Sequence, residues 1–300
     1  MMTFSSQSER RWHEVPRHTC FVSLILFLIV NGISGAHGQE FAPDCPPPFD
    51  VPPQAIDKVC PKEGMFINND TPEHRAQNRA KNSFCAEGAP GAPDIPLRMT
   101  IGLFDALEHR VEQTHIQFGD SLTLSGDRSQ LKNLVTNSDG KSVGEGTYVV
   151  FVGYVISSFV SAPESVNCYR LGEEFHDIHI ELGLGRSDPL CQRVTAEIIP
   201  HFRPAAYSQS HFKKLAQFLK IHPIRISGQL FFDSSHTPCV NGLPGEGLMA
   251  RRTNWEIHPV YFIDVCRNKR LSSCKFDDEP KWMAFEKLTR RPDNLVRRRR

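Results

Sequence analysis

No CxxC pair occurs anywhere in the 300 residues, which argues against a zinc knuckle. No GxSxG, HExxH, GxGxxG or P-loop pattern is present either, so the chain carries no strong enzyme signature. It has no internal repeat. Its early apolar run, FVSLILFLIV, covers only residues 21–30, well short of the roughly 20 residues that span a bilayer. No cysteine follows that run directly, so a lipoprotein anchor is not supported. Arg10–Arg11 is followed by Trp-His-Glu instead of an apolar pair, which leaves only a weak twin-arginine signal.

What is present around the run points to export. Arg10, Arg11 and Arg17 precede it, and the small residues SGAHG follow, with Ala36 and Gly38 at the −3 and −1 positions of a cleavage site. We therefore expect residues 1–38 to be a signal peptide and the mature chain to be periplasmic or secreted, with no stable membrane anchor after cleavage. An uncleaved anchor is the rival reading.

Cysteine usage agrees. Cys20 lies inside the signal, and Cys45, Cys60, Cys85, Cys168, Cys191, Cys239, Cys266 and Cys274 remain. An even number in an exported chain favours disulfides over buried thiols, and an oxidising compartment argues against a cysteine nucleophile. Strand topology suggests pairing Cys168 with Cys266 and Cys191 with Cys239, since a bridge needs Cα atoms within about 7 Å.

Charge is uneven along the chain. The end, RRPDNLVRRRR, carries +5 and residues 1–38 carry +1; the total is +1, so residues 39–289 hold −5. A mildly acidic body argues against a broad phosphate-binding surface, and hence against a nucleic-acid partner. The expected partner is an unknown small ligand or a component of the cell envelope.

Proline and glycine in CPPPFDVPP, NNDTPEH and GAPGAPDIP forbid long regular elements in residues 39–98, which read as a Pro/Cys-rich extended arm with one short helix at 74–84. Residues 99–146 read as a mixed lead-in with short helical turns, one of them capped by Asp127. After Gly146 the pattern sharpens. Residues 147–160, 175–183, 192–200, 222–233 and 253–265 have strand character, and 208–220 switches to helical spacing with Phe212, Leu215, Phe218 and Leu219 on one face. Three strands, a helix and two strands is the order of an OB-fold. The prediction is a mainly β protein: a five-stranded OB-like barrel over 147–266, one helix between its third and fourth strands, a proline-rich N-terminal arm, and a basic, flexible tail over 267–300. Gly153 inside the long first strand would allow that strand to coil and serve both halves of the barrel.

The segments GEGTYVVFVGYVI, ESVNC, DIHIEL, VTAEIIPHFRP, SGQLFFDSSHTPC and WEIHPVYFIDV together resemble a group of exported bacterial proteins of unassigned function that look like OB or nuclease-like barrels. The resemblance covers about residues 120–266, with an echo at AQNRAKNSFCA (76–86). It implies the barrel and no settled activity. The chain departs from thermonucleases in lacking a DGDT-like acidic turn on the second strand and a clear arginine pair for a phosphate.

Alternation across the strands defines the candidate site. With Ile178, Ile180 and Leu182 inward, Asp177, His179 and Glu181 point outward; Glu197 follows on the third strand, and Glu256 and His258 on the last. Asp177, His179, Glu256 and His258 could hold zinc or manganese through mixed nitrogen and oxygen donors. The plain alternative is a wet sheet face with cross-strand acid–histidine pairs. Glu197, the loop residues His201 and Arg203, and His236 in the loop before the last strand are candidate ligand contacts. No catalytic residue is assigned. Three functions follow: an exported, disulfide-stapled binding or structural module, a metal-dependent ester or phosphodiester hydrolase, or a single-stranded nucleic-acid binder.

Overall fold

The computed structural model describes residues 39–68, 70–87, 95–114, 116, 128–244 and 250–290. The expected signal peptide at 1–38, the expected cap Asp127 and residues 291–300 lie outside the described residues.

In chain order the elements are α1 (Pro72–Lys81), β1 (Leu97–Arg98), α2 (Ile101–Gln113), β2 (Val135–Thr136), β3 (Ser142–Val143) and β4 (Tyr148–Val160). Then come β5 (Ile178–Gly183), β6 (Val194–Ile198), α3 (Gln209–Leu219), β7 (Ile224–Phe232), β8 (Trp255–Cys266), β9 (Trp282–Ala284) and α4 (Phe285–Thr289). Strands β4, β5, β6, β8 and β7 pair in that spatial order, and β7 returns to β4, which closes a five-stranded barrel. Only the β6–β8 pairing among these is parallel. With α3 between β6 and β7, this is the OB topology expected from the element order.

Closure depends on β4. Its first half, Tyr148–Gly153, pairs with β7, and its second half, from Tyr154, pairs with β5. The change of partner falls at Gly153, where an added Cβ would stand 2.7 Å from the Gly183 carbonyl oxygen. Glycine is required there by close backbone approach. The interior is filled by the inward residues of every strand, among them Val149, Ile180, Ala196, Ile226 and Ile257. Phe212, Leu215 and Leu219 of α3 close one end, and Phe285 and Leu288 of α4 join the same core.

Strand β8 carries an irregularity. Its register against β7 shifts on both sides of Gly228, opposite the His258-Pro259 dipeptide. Proline cannot donate to the ladder, and a Cβ on Gly228 would collide with the Pro259 carbonyl. The slip turns Tyr261 away from the barrel interior and into a separate cluster with Phe41, Phe84 and Tyr148, so one face of the barrel is fastened to the arm.

Several segments differ from expectation. The short helix expected at 74–84 is present as α1, but it starts earlier, at Pro72, and ends at Lys81; Thr71 caps it by accepting from the His74 amide. The 99–146 lead-in holds a full 13-residue helix, α2, and not just short turns. Of the tail, residues 267–290 are folded: β9 pairs with β8, and Trp282, Phe285 and Leu288 are buried. The physical reason is the short apolar set Trp282, Phe285 and Leu288, which packs on the barrel before the arginine run begins.

The cysteines pair as Cys45–Cys85, Cys60–Cys168, Cys191–Cys239 and Cys266–Cys274. Cys168 therefore does not bond to Cys266, which corrects the expected pair. Cys266 closes a local turn with Cys274, and Cys168 ties the β4–β5 loop to the arm. Both departures have one cause: cysteines outside the barrel lie closer than the barrel partner does. The disulfides thus join arm, loops and barrel into one module.

Candidate functional site

Alternation places Asp177, His179, Glu197, Glu256 and His258 on the outer side of the barrel wall, as expected. They are nevertheless not a wet face: each is 6 % exposed or less, and Asp177, Glu256 and His258 are at 0 %. The arm with α1, the β4–β5 loop and the β7–β8 loop cover them.

Registers explain the gathering. Phe159 on β4 is opposite His179 on β5, and His179 is opposite Glu197 on β6. The parallel β6–β8 register pairs Thr195 with Glu256 and Ala196 with Ile257, which brings His258 alongside Glu197. One cross-strand row thus carries an aromatic ring, two imidazoles and a carboxylate. His179 Nδ1 lies 3.1 Å from Glu197 Oε1, and its ring stacks on Phe159 at 4.9 Å. His258 Nδ1 lies 3.1 Å from Glu197 Oε2 and 3.4 Å from Glu256 Oε2, and its Nε2 faces Asp177 Oδ2 at 4.0 Å. Asp177 Oδ1 accepts from Asn167 Nδ2 at 3.1 Å.

Asp177, Glu197 and His258 each offer a donor atom within 4.8 Å of the other two. Asp177 Oδ2 and His258 Nε2 are buried without a hydrogen-bond partner, and Glu197 Oε2 is in no aligned bond. Buried polar atoms are normally satisfied. The expected metal set changes accordingly. Glu197, expected as a ligand contact, joins Asp177 and His258. Glu256 turns to Arg251, which donates to it, and His179 supports Glu197 from the neighbouring strand.

Cations from distant parts of the chain complete the network. Lys81 of α1 is 7 % exposed, and its Nζ lies 3.5 Å from Glu164. Arg251, fully buried, also donates to Asp233 Oδ2 at 3.2 Å, and Asp233 binds His236 Nδ1. Burial opposes the charge on Lys81, but Glu164, Asp233, Glu197 and Glu256 outweigh it and hold the ammonium firmly protonated. Burial likewise opposes ionisation of Glu197, yet His179, His258 and Lys81 keep its carboxyl well below the usual range. Glu256 moves the other way, raised by burial and by Glu197. His258 resists burial through Glu197 and its hydrogen bonds, and its pKa rises to about 10.

Over this floor opens a cleft of about 460 Å³. His179, Glu197, Asp233, His236 and Lys81 line it, with Phe66, Phe159 and Tyr169 around them. His236 is thus placed at the site. His201 and Arg203 stand outside this cleft. His201 is fully buried, with Nδ1 2.6 Å from Asp57 Oδ1 and its ring stacked on Phe41 at 4.0 Å. Arg203 donates to the carbonyls of Ile199, Ile198 and His176. Asp57 thus takes His201 Nδ1 and carbonyls take Arg203 Nε and Nη2, while His201 Nε2 is buried without a partner.

Lys81, Asp233 and Arg251 were not assigned a role from sequence. A signal for Lys81 exists: the buried face of α1 is polar, with Gln77, Asn78 and Lys81 at helical spacing and Asn82 just beyond. A helix that buries polar groups covers something polar. No protein-family model, curated protein or solved structure matches the chain.

Proposed function

We propose that this exported, disulfide-stapled barrel is a metal-dependent hydrolase, with Asp177, Glu197 and His258 holding a zinc or manganese ion beneath the cleft. The observation that carries the reading is the set of buried donor atoms on three strands or strand ends with no protein partners aligned to them. Charge supports it. The buried carboxylates Asp177, Glu197, Asp233 and Glu256 face two permanent cations, Lys81 and Arg251. Two negative charges are left over, matched either by imidazolium protons or by one divalent ion. Eight paired cysteines fit an oxidising compartment, and among the described residues no helix is long and apolar enough to cross a membrane.

A bound divalent ion supplies Lewis acidity and lowers the pKa of a water ligand. The protein supplies the rest. His179 lines the cleft and has a buried, unpartnered Nε2, and it is the group assigned here to take a proton from an attacking water. His236, oriented through Nδ1 by buried Asp233, is placed to return one to the leaving oxygen as the ester bond breaks.

The test is metal analysis with titration calorimetry on chelator-stripped protein. We expect one Zn²⁺ or Mn²⁺ per chain, and at least a tenfold loss of affinity in Asp177→Asn and in His258→Ala. Hydrolysis of bis(p-nitrophenyl) phosphate should follow metal content. Wild-type protein that takes up no stoichiometric metal would sink the reading and leave the charge-balanced binding module in its place.

A further inference from the structure

The cleft has a second character beyond its charged floor. Its rim is aromatic, and the rings come from three separate segments: Phe66 from the arm, Phe159 from β4 and Tyr169 from the β4–β5 loop. Phe159 is 43 % exposed, and the His179 ring stacks nearly parallel to it, with an interplanar angle of 21°. The stacking on His179 fixes the orientation of a ring whose outer face stays open to the cleft. Below the rim the ammonium of Lys81 is held charged, and His236 is one-third exposed, turned by Asp233. His179 has Nε2 buried without a partner, and its Nδ1 is in no aligned hydrogen bond.

Aromatic rim, fixed ammonium and oriented imidazoles within one cleft favour a ligand with a flat ring at one end and an anion at the other. A volume of about 460 Å³ lies at the small end of ligand pockets, suited to a single such unit. We propose that the cleft is a nucleotide subsite, taking the phosphate of one nucleotide toward Lys81 and His236 and its base against Phe159.

This deepens the proposed function and rests on it: it names the substrate class of that site as a nucleotide phosphodiester. Glu197 and Asp233 also line the cleft, and a phosphate approaching them needs positive charge nearby; an ion held by Asp177, Glu197 and His258 would supply it. The acidic body is no obstacle, because a one-nucleotide subsite requires no broad basic surface. Base stacking on aromatic rings is sequence-tolerant, so little discrimination among bases follows.

Titration calorimetry on the full chain with Mn²⁺ present tests it, using deoxyadenosine 5′-monophosphate, inorganic phosphate and free deoxyadenosine as probes. The nucleotide should bind at least fivefold more tightly than either fragment. Phe159→Ala should lose roughly 5- to 100-fold in nucleotide affinity and leave phosphate binding unchanged, with Phe159→Trp restoring it. Lys81→Gln should weaken nucleotide and phosphate alike; because Lys81 is buried, its unfolding temperature is measured beside it, and the exposed Phe159 variants carry the test if it fails to fold. Mn²⁺ bound with no preference for the nucleotide, or Phe159→Ala without effect, overturns the subsite and leaves the metal reading standing. Absence of binding by both Mn²⁺ and Zn²⁺ in the same cells overturns both.

Discussion

Glu108 of α2 is a carboxyl outside the site whose position has a measurable cost. It is 8 % exposed; Oε2 accepts from the Asn254 amide at 2.9 Å, and Oε1 has no partner. Burial pushes its pKa up to about 7, against the pull of that hydrogen bond. A carboxyl raised in the fold binds its proton more tightly there than in the unfolded chain. Stability is therefore greatest at or below the ordinary carboxylate range near 4.5, falls as pH rises toward about 7, and levels off above. The loss is on the order of 3 kcal/mol. Glu108→Gln keeps an acceptor for Asn254 and removes the titration. Urea unfolding at pH 8 should show the variant more stable by a large part of that amount, with little difference at pH 4.5. Equal gains at both pH values would mean the effect is not ionisation.

At the scale of elements, two glycines give opposite expectations. Gly153 is where β4 changes partner, and a side chain there meets the Gly183 backbone. Gly153→Ala should destabilise by roughly 1–3 kcal/mol, because neither backbone can yield without opening the barrel. Gly102 lies in α2 with only the Thr100 hydroxyl as near as 4.0 Å. Gly102→Ala should stabilise by about 0.5–1 kcal/mol through helix propensity alone. Denaturant titration of the two variants reads both signs, and a tolerated alanine at 153 would show that the partner change does not depend on close backbone contact. Lys81 is not legible as a site residue from the sequence of α1. Its helix is short and polar in composition, and a polar helix ordinarily faces water; only docking onto a polar barrel wall turns that face inward.

The whole molecule is held by links between distant segments. The Cys60–Cys168 bridge spans 108 residues with Cα atoms 5.8 Å apart, and it fastens the arm to the loop that precedes Asp177. Replacing both cysteines by serine should cost roughly 2–4 kcal/mol and loosen the arm that carries Lys81 into the cleft. Limited proteolysis read by mass spectrometry should then find early cuts within residues 39–87 while the barrel over 147–266 persists. An arm cut no faster than in the wild type would show that the cluster of Phe41, Phe84 and Tyr261 suffices to hold it.

The barrel was legible because its information is local. Period-two alternation marks β5, β6 and β8, helical spacing marks α3, and their order selects the OB arrangement from few alternatives. Gly153 was legible for the same reason, as a glycine within an otherwise β-branched run. Asp177, His179, Glu197 and His258 could be placed on one side of the wall by counting residues. What lies over that wall could not be counted. Burial of those side chains, the arrival of Lys81 from α1, Arg251 and Asp233 around Glu256, and the bond from Cys168 to Cys60 all depend on contacts between segments far apart in sequence. Periodicity records which side of a strand a residue faces. Whether that side meets water or another part of the chain is decided only when the arm and loops pack against it, and here that packing turns a polar sheet face into an enclosed, charged site.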